Sequence, residues 1–352
     1  MSDVDAGPGR VHRQDAEAAD LGRDRAGSPD TLAAVRVLVV TNLEPDPSYP
    51  ARGSFVRDQV AALRDAGVEV ELFSFPPGTG QYPRATRALR RRLRDERFDL
   101  VHAHYGLAGW CASLAGARPL AVTFHGTDVR HRIVGPLSRR LARRLDLVAG
   151  ASRALFAPEG GRPGLPRVEG ATAVLPCGAD LRRFRPRPRA ECRRELGLEP
   201  DGRYLLFPAS PDRAVKRHDR ALEVARLAGA KLLTAGTIEA ERMPDWVNAA
   251  DAVLITSDNE GFALAAVEAL ACDVAVLSTP VGVSPTLLGG VDGCLVAPFD
   301  AAAWAELARR HLDLAESRVR GRQRAAWFAA ESMAERVLIA YREVLGTSSE
   351  SG

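Results

Sequence analysis

The chain has 352 residues, 46% of them apolar, a net charge of +3 and 6% aromatic content. That is enough for two domains with buried cores, and no stretch approaches the roughly 20 continuous apolar residues of a membrane-spanning helix. Five cysteines (Cys111, Cys177, Cys192, Cys272, Cys294) without metal-like spacing argue against a disulfide framework or a zinc site and fit a reducing cytosol, while the small net charge and sparse aromatics argue against a nucleic-acid partner.

Residues 1–34, rich in Asp, Arg, Gly and Ala, lack the apolar core of a secretory signal and read as a disordered tail. From there short apolar runs alternate with amphipathic stretches. "VRVLVVTN" reads as a strand, "SFVRDQVAALRDAG" as a helix ending at Gly67, and "VEVELFSF" as the next strand. The arginine-rich helix "RATRALRRRLRDER" follows, then strand "FDLVHAHY", helix "GLAGWCASLAGA", strand "PLAVTFHG", helix "PLSRRLARRL" and strand "DLVAGAS". Regular alternation implies right-handed crossovers and a parallel sheet covered on both faces, so residues 35–178 form a doubly wound α/β domain.

"ATAVLPCGADLRRFRPRPRAECRREL" breaks the rhythm with prolines and charge and reads as an interdomain connection. A second alternation, "RYLLFPAS", "RHDRALEVARLAG", "AKLLTAG", "ADAVLITS", "GFALAAVEALAC" and "VAVLSTPVG", marks a smaller α/β domain over 179–329. The stretch "ESRVRGRQRAAWFAAESMAERVLIAYREVLG" reads as one or two amphipathic helices, of which 330–346 completes the first domain, and 347–352 as a frayed end. Ligands of open α/β sheets bind beyond the carboxyl ends of the strands. Asn42, His104, His125, the segment Pro208 to Lys216, and Glu260 all fall at such ends and should converge in a groove between facing domains.

No G-x-G-x-x-G follows the first strand, and no Walker motif occurs anywhere, which disfavours an NAD enzyme or a P-loop ATPase. Lys216 and Lys231 are the sole lysines among 48 cationic side chains, so a lysine at a candidate site stands out against an arginine default. Several segments, in consistent order over about residues 36 to 345, resemble one family. "VLPCGADLRRFRP" is similar to the interdomain signature of family 4 (group 1) glycosyltransferases, and "EGFALAAVEALAC" to their E-x7-E element, here Glu260 and Glu268. "PDWVNAADAVLITSDNEG" resembles the stretch leading into it, and "FPASPDRAVKRHDRALEVA" the basic donor-phosphate segment. "TFHGTDV" resembles the histidine-bearing strand end, and "GSFVRDQVAAL" the glycine-started first helix.

The resemblance implies an α/β GT-B architecture of two facing Rossmann-like domains with an interdomain cleft, and a nucleotide-diphosphate-sugar as co-substrate. It implies retention at the anomeric carbon with no metal or other cofactor. Glu260 would hold hexose hydroxyls, Glu268 the ribose, and His125 would face the hexose, while Gly53 would let the first-domain loop approach the diphosphate. The chemistry of the residues agrees. A diphosphate calls for cations, which Lys216 and Arg213 can supply, and for backbone N–H groups, which a helix start at Gly261, Phe262, Ala263 and Leu264 would present with a favourable dipole. Diols call for acceptors, and carboxylates fit. If Glu260 and Glu268 were both helical, eight steps of about 100° would set them about 80° apart around the axis.

Two departures from the family pattern carry expectations of their own. The usual upstream arginine is replaced by "ASP", so Arg213 or Arg217 takes its place. Only "TIEAERM" separates "AKLLTAG" from "PDWVNAADAV", where the family has a further strand and helix, so the second domain is shortened near the nucleotide base. Shortness of this kind tilts the reading towards cell-surface polysaccharide or glycoconjugate synthesis on a glycan or lipid-linked acceptor. The location expected is cytoplasmic, with the arginine-rich helices 84–97 and 137–144 offering peripheral contact to an anionic membrane at its inner face. A sugar-nucleotide epimerase, or a non-catalytic binding protein of the same architecture, are the alternatives.

Overall fold

The computed structural model describes residues 35–158, 160–168, 171–314 and 317–349. The tail read over 1–34, and residues 350–352 of the expected frayed end, lie outside the described residues.

The first domain runs β1 (Arg36–Thr41), α1 (Ser54–Asp65), β2 (Glu69–Ser74), α2 (Gln81–Asp95), β3 (Leu100–His104), α3 (Gly106–Ala115), β4 (Leu120–Phe124), α4 (Thr127–Arg130), α5 (Val134–Ala142), β5 (Leu147–Gly150) and β6 (Ala171–Val174). Its strands form one parallel sheet in the order β2-β1-β3-β4-β5-β6. Every residue of β3, β4 and β5 is buried, as expected of central parallel strands covered on both faces, whereas edge strand β6 alternates half-buried and exposed.

The second domain runs α6 (Arg189–Glu195), β7 (Tyr204–Phe207), α7 (His218–Ala228), β8 (Lys231–Thr234), α8 (Met243–Ala249), β9 (Ala252–Ile255), α9 (Leu264–Ala271), β10 (Ala275–Ser278), α10 (Ser284–Leu288), β11 (Leu295–Val296) and α11 (Ala301–Leu312). Its parallel sheet has the order β11-β10-β9-β7-β8. Both sheets therefore reverse direction once, between β1 and β3 and between β7 and β9, and such reversals open a crevice at the carboxyl ends of the flanking strands. These are the two facing doubly wound domains that the alternation implied.

After α12 (Arg322–Ala325) the chain returns to the first domain as α13 (Ala330–Ser349). Met333, Val337 and Tyr341 of α13 share a buried cluster with Val56, Val60 and Leu63 of α1 over the face of the first sheet. The outgoing and returning crossings are tied by main-chain bonds, with the Ala179 N–H donating to Phe328 at 2.9 Å and the Ala330 N–H to Ala179 at 2.9 Å.

The structure departs from the sequence reading in four places. "ATAV", read as part of a connection, is strand β6, paired along β5. Its shortness and its exposed edge hide the apolar run by which the inner strands are recognised. "RAECRRE" is helix α6, and two of its arginines are buried on one acid: Arg193 Nη2 donates to Asp251 Oδ2 at 2.8 Å, and Arg189 pairs with the other oxygen. Charge read as part of a connection is an internal ion cluster that joins α6 to Asp251, the residue before β9. Helix α11, which was not assigned, buries Trp304 completely. Helix α13 carries the backbone to Ser349, past the expected fray at 347.

Candidate functional site

Between the two sheets lies a cleft of about 320 Å3, walled by the loops beyond both reversal points. Arg213, Lys216, Glu260, Gly261, Phe262, Ala263, Leu264, Glu268 and His125 all line it. Gly53 does not; its neighbours Ala51, Ser54 and Phe55 do. Gly53 sits before α1 with φ of 69°, and a Cβ there would meet the Leu43 carbonyl oxygen at 2.4 Å. The glycine is needed for the turn into α1 rather than to clear space in the cleft.

From the second domain, the short turn after β7 brings Lys216 to Glu260. Their side chains form an ion pair while only 15% and 13% exposed, and the Ser257 hydroxyl donates to the same Glu260 oxygen at 2.7 Å. Lys216 and Glu260, each able to hold a charged or hydroxylated ligand, thus satisfy one another. Arg213 is exposed and faces the cleft, and its charge is felt by the buried Tyr105 hydroxyl of the first domain. Arg217 is turned away, bound to Asp219 at 2.7 Å and Asp258 at 3.3 Å. Of the two arginines expected to substitute for one another, Arg213 is the one at the cleft.

Helix α9 begins at Leu264, not Gly261. Ala263 precedes it in the left-handed conformation, with φ of 68° and ψ of 53°. Glu260 is therefore not helical, and the angular argument placing two carboxylates about 80° apart on one helix does not hold. Two residues before this turn, Gly261 abuts the first domain. A Cβ at Gly261 would lie 1.5 Å from the His125 carbonyl oxygen, and one at Gly126 2.7 Å from the Gly261 Cα. This close approach is a reason for glycine at 261 besides the main-chain N–H contact to a diphosphate expected there. Phe262 is buried edge-on against Phe328, with ring centroids 5.6 Å apart, so it packs the loop.

Glu268 lies one turn into α9. Burial pushes its carboxyl up to about 7, opposed by the nearby Arg183 guanidinium and reinforced by Asp58. Arg183, from the interdomain connection, lines the cleft and donates to Asp58 of α1 at 2.8 Å. It thereby brings a first-domain acid and a second-domain acid to one cation. Sequence reasoning passed over Arg183 because nothing distinguishes one arginine in so arginine-rich a chain.

On the first-domain wall, His125 is held by its surroundings. Asp128, 5% exposed, accepts from the His125, Gly126 and Gly106 N–H groups at 3.0 Å each, and burial raises its carboxyl to about 6. The His125 ring packs against Tyr105 at 4.7 Å and Phe55 at 4.9 Å. Its Nδ1 lies 4.0 Å from Cys177 Sγ, whose thiol burial pushes up to about 12, so Cys177 is an inert wall. Among the described residues no cluster of three or more His, Cys, Asp or Glu side chains is placed to hold a metal, and no helix is long and apolar enough to cross a membrane.

Comparison with known proteins places this arrangement. Residues 33–183 match the Glycosyltransferase Family 4 model, and residues 209–313 the Glycosyl transferases group 1 model. The chain is 30% identical to a D-inositol 3-phosphate glycosyltransferase of Frankia alni over 70% of this chain and 75% of that protein. It is 28% identical to the protein of that name in Pseudarthrobacter chlorophenolicus, over 78% and 86%. With that of Xylanimonas cellulosilytica it shares 30% identity, spanning 60% of this chain and 62% of the relative's length. Among solved structures, sucrose-phosphate synthase from Thermosynechococcus elongatus superposes with a TM-score of 0.70 at 20% identity, over 89% of this chain and all of that one. Anabaena HepE in complex with UDP and glucose superposes with a TM-score of 0.59 at 18% identity, over 90% and 100%. The fold is GT-B.

Proposed function

Because the chain belongs to the family 4, group 1 glycosyltransferases, we propose that it moves a hexose from a nucleotide-diphosphate-sugar to a glycan or lipid-linked acceptor, with retention and without a metal. The observation that carries this reading is the convergence of Lys216, Arg213, Glu260, Glu268 and His125 on one cleft between two sheet reversal points. The diphosphate lies against Lys216, Arg213 and the main chain at Gly261–Leu264. Glu268 accepts from the ribose diol, Glu260 from hexose hydroxyls, and His125 faces the hexose.

Binding the donor exchanges partners. Lys216 leaves Glu260 for a phosphate oxygen, and Glu260 takes sugar hydroxyls in place of the ammonium, so neither buried group is left without a partner. As the glycosidic bond breaks, charge gathers on the β-phosphate. Cations already fixed beside it lower the barrier, and losing one such group typically costs about 2.7–4 kcal/mol.

The acceptor reading is cell-surface polysaccharide or glycoconjugate synthesis at the cytoplasmic face of the membrane. Its support is a surface groove where Arg87 and Arg90 of α2 border Trp110 and Leu114, with Ile133 exposed nearby in sequence ahead of α5. The relatives' name favours a second acceptor, a phosphorylated polyol.

The test is a melting screen against UDP, GDP, dTDP and ADP and their hexose conjugates, with Lys216→Ala beside the wild type. A ligand at about 100 times its dissociation constant adds about 2.7 kcal/mol. Stabilisation by one nucleotide, lost in the variant, supports the donor site; no stabilisation by any overturns it. Product analysis with and without acceptor then separates transfer from epimerisation.

A further inference from the structure

Behind His125, three imidazoles form a buried row. His102 and His104 stack at 4.7 Å between ring centroids, and His104 and His125 at 5.2 Å, with interplanar angles of 27° and 22°. His102 is fully engaged away from the cleft, its Nδ1 2.7 Å from the Tyr341 hydroxyl and its Nε2 2.8 Å from Thr123 Oγ1. His104 reaches the other way, its Nδ1 3.0 Å from His125 Nε2. Its own Nε2 meets the amide nitrogen of Gln59, a residue of α1 only 6% exposed, at 3.4 Å.

Burial keeps all three rings neutral. It holds His102 and His125 down at about 3 and His104 well below the usual imidazole range, with its two neighbours adding to the effect on His104. A neutral imidazole has one N–H and one bare nitrogen, so a chain of such rings has a direction set by its end group. An amide nitrogen only donates. His104 Nε2 therefore accepts, and the His104 proton sits on Nδ1. That proton is donated to His125 Nε2, which leaves the His125 proton on Nδ1, the nitrogen on the Cys177 side of the cleft wall. Phe55 and Tyr105 pack the ring in this orientation.

We propose that Gln59 and His104 are positioning residues that fix His125 as its Nδ1–H tautomer, so that it presents a hydrogen-bond donor to an oxygen of the ligand in the cleft. Naming that oxygen as one of the donor sugar rests on the function proposed above; the tautomer does not. The opposite tautomer would offer a bare lone pair, which repels an ether or phosphate oxygen and accepts only from a hydroxyl.

The test uses the full chain labelled with [15N]histidine and a two-bond 1H–15N correlation at pH 7, which distinguishes the two protonated nitrogens directly. His104→Asn and His125→Asn serve to assign the signals. The expected pattern is Nδ1–H for both His104 and His125. A protonated Nε2 or a cationic ring at His125 overturns the proposal. Gln59→Met, close in shape but without a donor, should convert both signals to tautomer mixtures, and unchanged signals would remove Gln59 from the chain. In the same variant nucleotide stabilisation should persist while kcat for transfer falls by the share of His125 in the other tautomer, roughly twofold for an equal mixture. An absence of transfer in the wild type would sink the functional reading alone, since the tautomers are measured without ligand.

Discussion

Glu268→Gln should make the protein more stable above neutral pH and poorer at holding a nucleotide-sugar. Burial raises the Glu268 carboxyl from 4.5 to about 7, against the pull of Arg183. A carboxyl whose folded-state value lies above its unfolded one adds stability while protonated. That stability is fully present below about 4.5 and is lost as the pH rises through about 7. At 1.36 kcal/mol per pH unit the loss amounts to about 3 kcal/mol. Glutamine does not ionise, so the gap between variant and wild type in urea unfolding should widen in the variant's favour by about that amount between pH 4.5 and 8. Binding runs the other way. If the ribose diol needs the carboxylate, about one-tenth of the protein is competent at pH 6 and nearly all of it at pH 8, so affinity should rise roughly tenfold from pH 6 to pH 8. A nucleotide-sugar is the right probe, because a terminal phosphate titrates near pH 6 itself. Calorimetric titration at the two pH values reads the effect. Equal wild-type affinity at pH 6 and 8, or full affinity in Glu268→Gln, would refute the reasoning.

Three other outcomes follow from the same geometry. Glu260→Gln should keep the fold, since Ser257 and Lys216 still meet an oxygen at that position, while transfer falls about 100-fold, by about 2.7 kcal/mol of barrier; undiminished turnover in steady-state assays would remove Glu260 from the site. Lys216→Ala should weaken nucleotide-sugar binding by at least tenfold and lower the denaturation midpoint only modestly, because the Ser257 hydroxyl still donates to the Glu260 oxygen that the ammonium leaves; equal dissociation constants would assign Lys216 to structure. Gly261→Ala places a methyl 1.5 Å from the His125 carbonyl, so the domains must part or the loop must shift. A cost of about 1–3 kcal/mol is expected, seen as a lower Tm, and an unchanged Tm would mean that this interdomain contact yields freely.

Why some of this was legible from residues alone, and some not, comes down to which interactions leave a local trace. Central parallel strands such as "FDLVHAHY" and "PLAVTFHG" are buried on both faces, so apolar residues dominate them on both sides instead of alternating with polar ones. Edge strand β6 is short and half-exposed, and nothing in "ATAV" distinguishes it from a loop. Helix α6 was obscured because its arginines look like solvent charge; their partner, Asp251, is some 60 residues away and only the fold brings them together.

The cleft shows the same division more sharply. Lys216, Glu260 and Glu268 stood out because each is an unusual residue type at its position, a lysine among arginines or a carboxylate in an apolar stretch. Arg183 and Gln59 carry no such mark, yet one couples Asp58 to Glu268 and the other sets the direction of a histidine row. Helical arithmetic failed for Glu260 for an equally non-local reason. The left-handed turn at Ala263 follows directly on the approach of Gly261 to Gly126 in the other domain, and no pattern within residues 259–272 announces a neighbour that the chain placed more than 130 residues earlier. Local chemistry therefore names the groups that touch a ligand, while the groups that aim them are set by packing between elements distant in sequence, and those are the positions where substitution should shift pH dependence or tautomer before it shifts affinity.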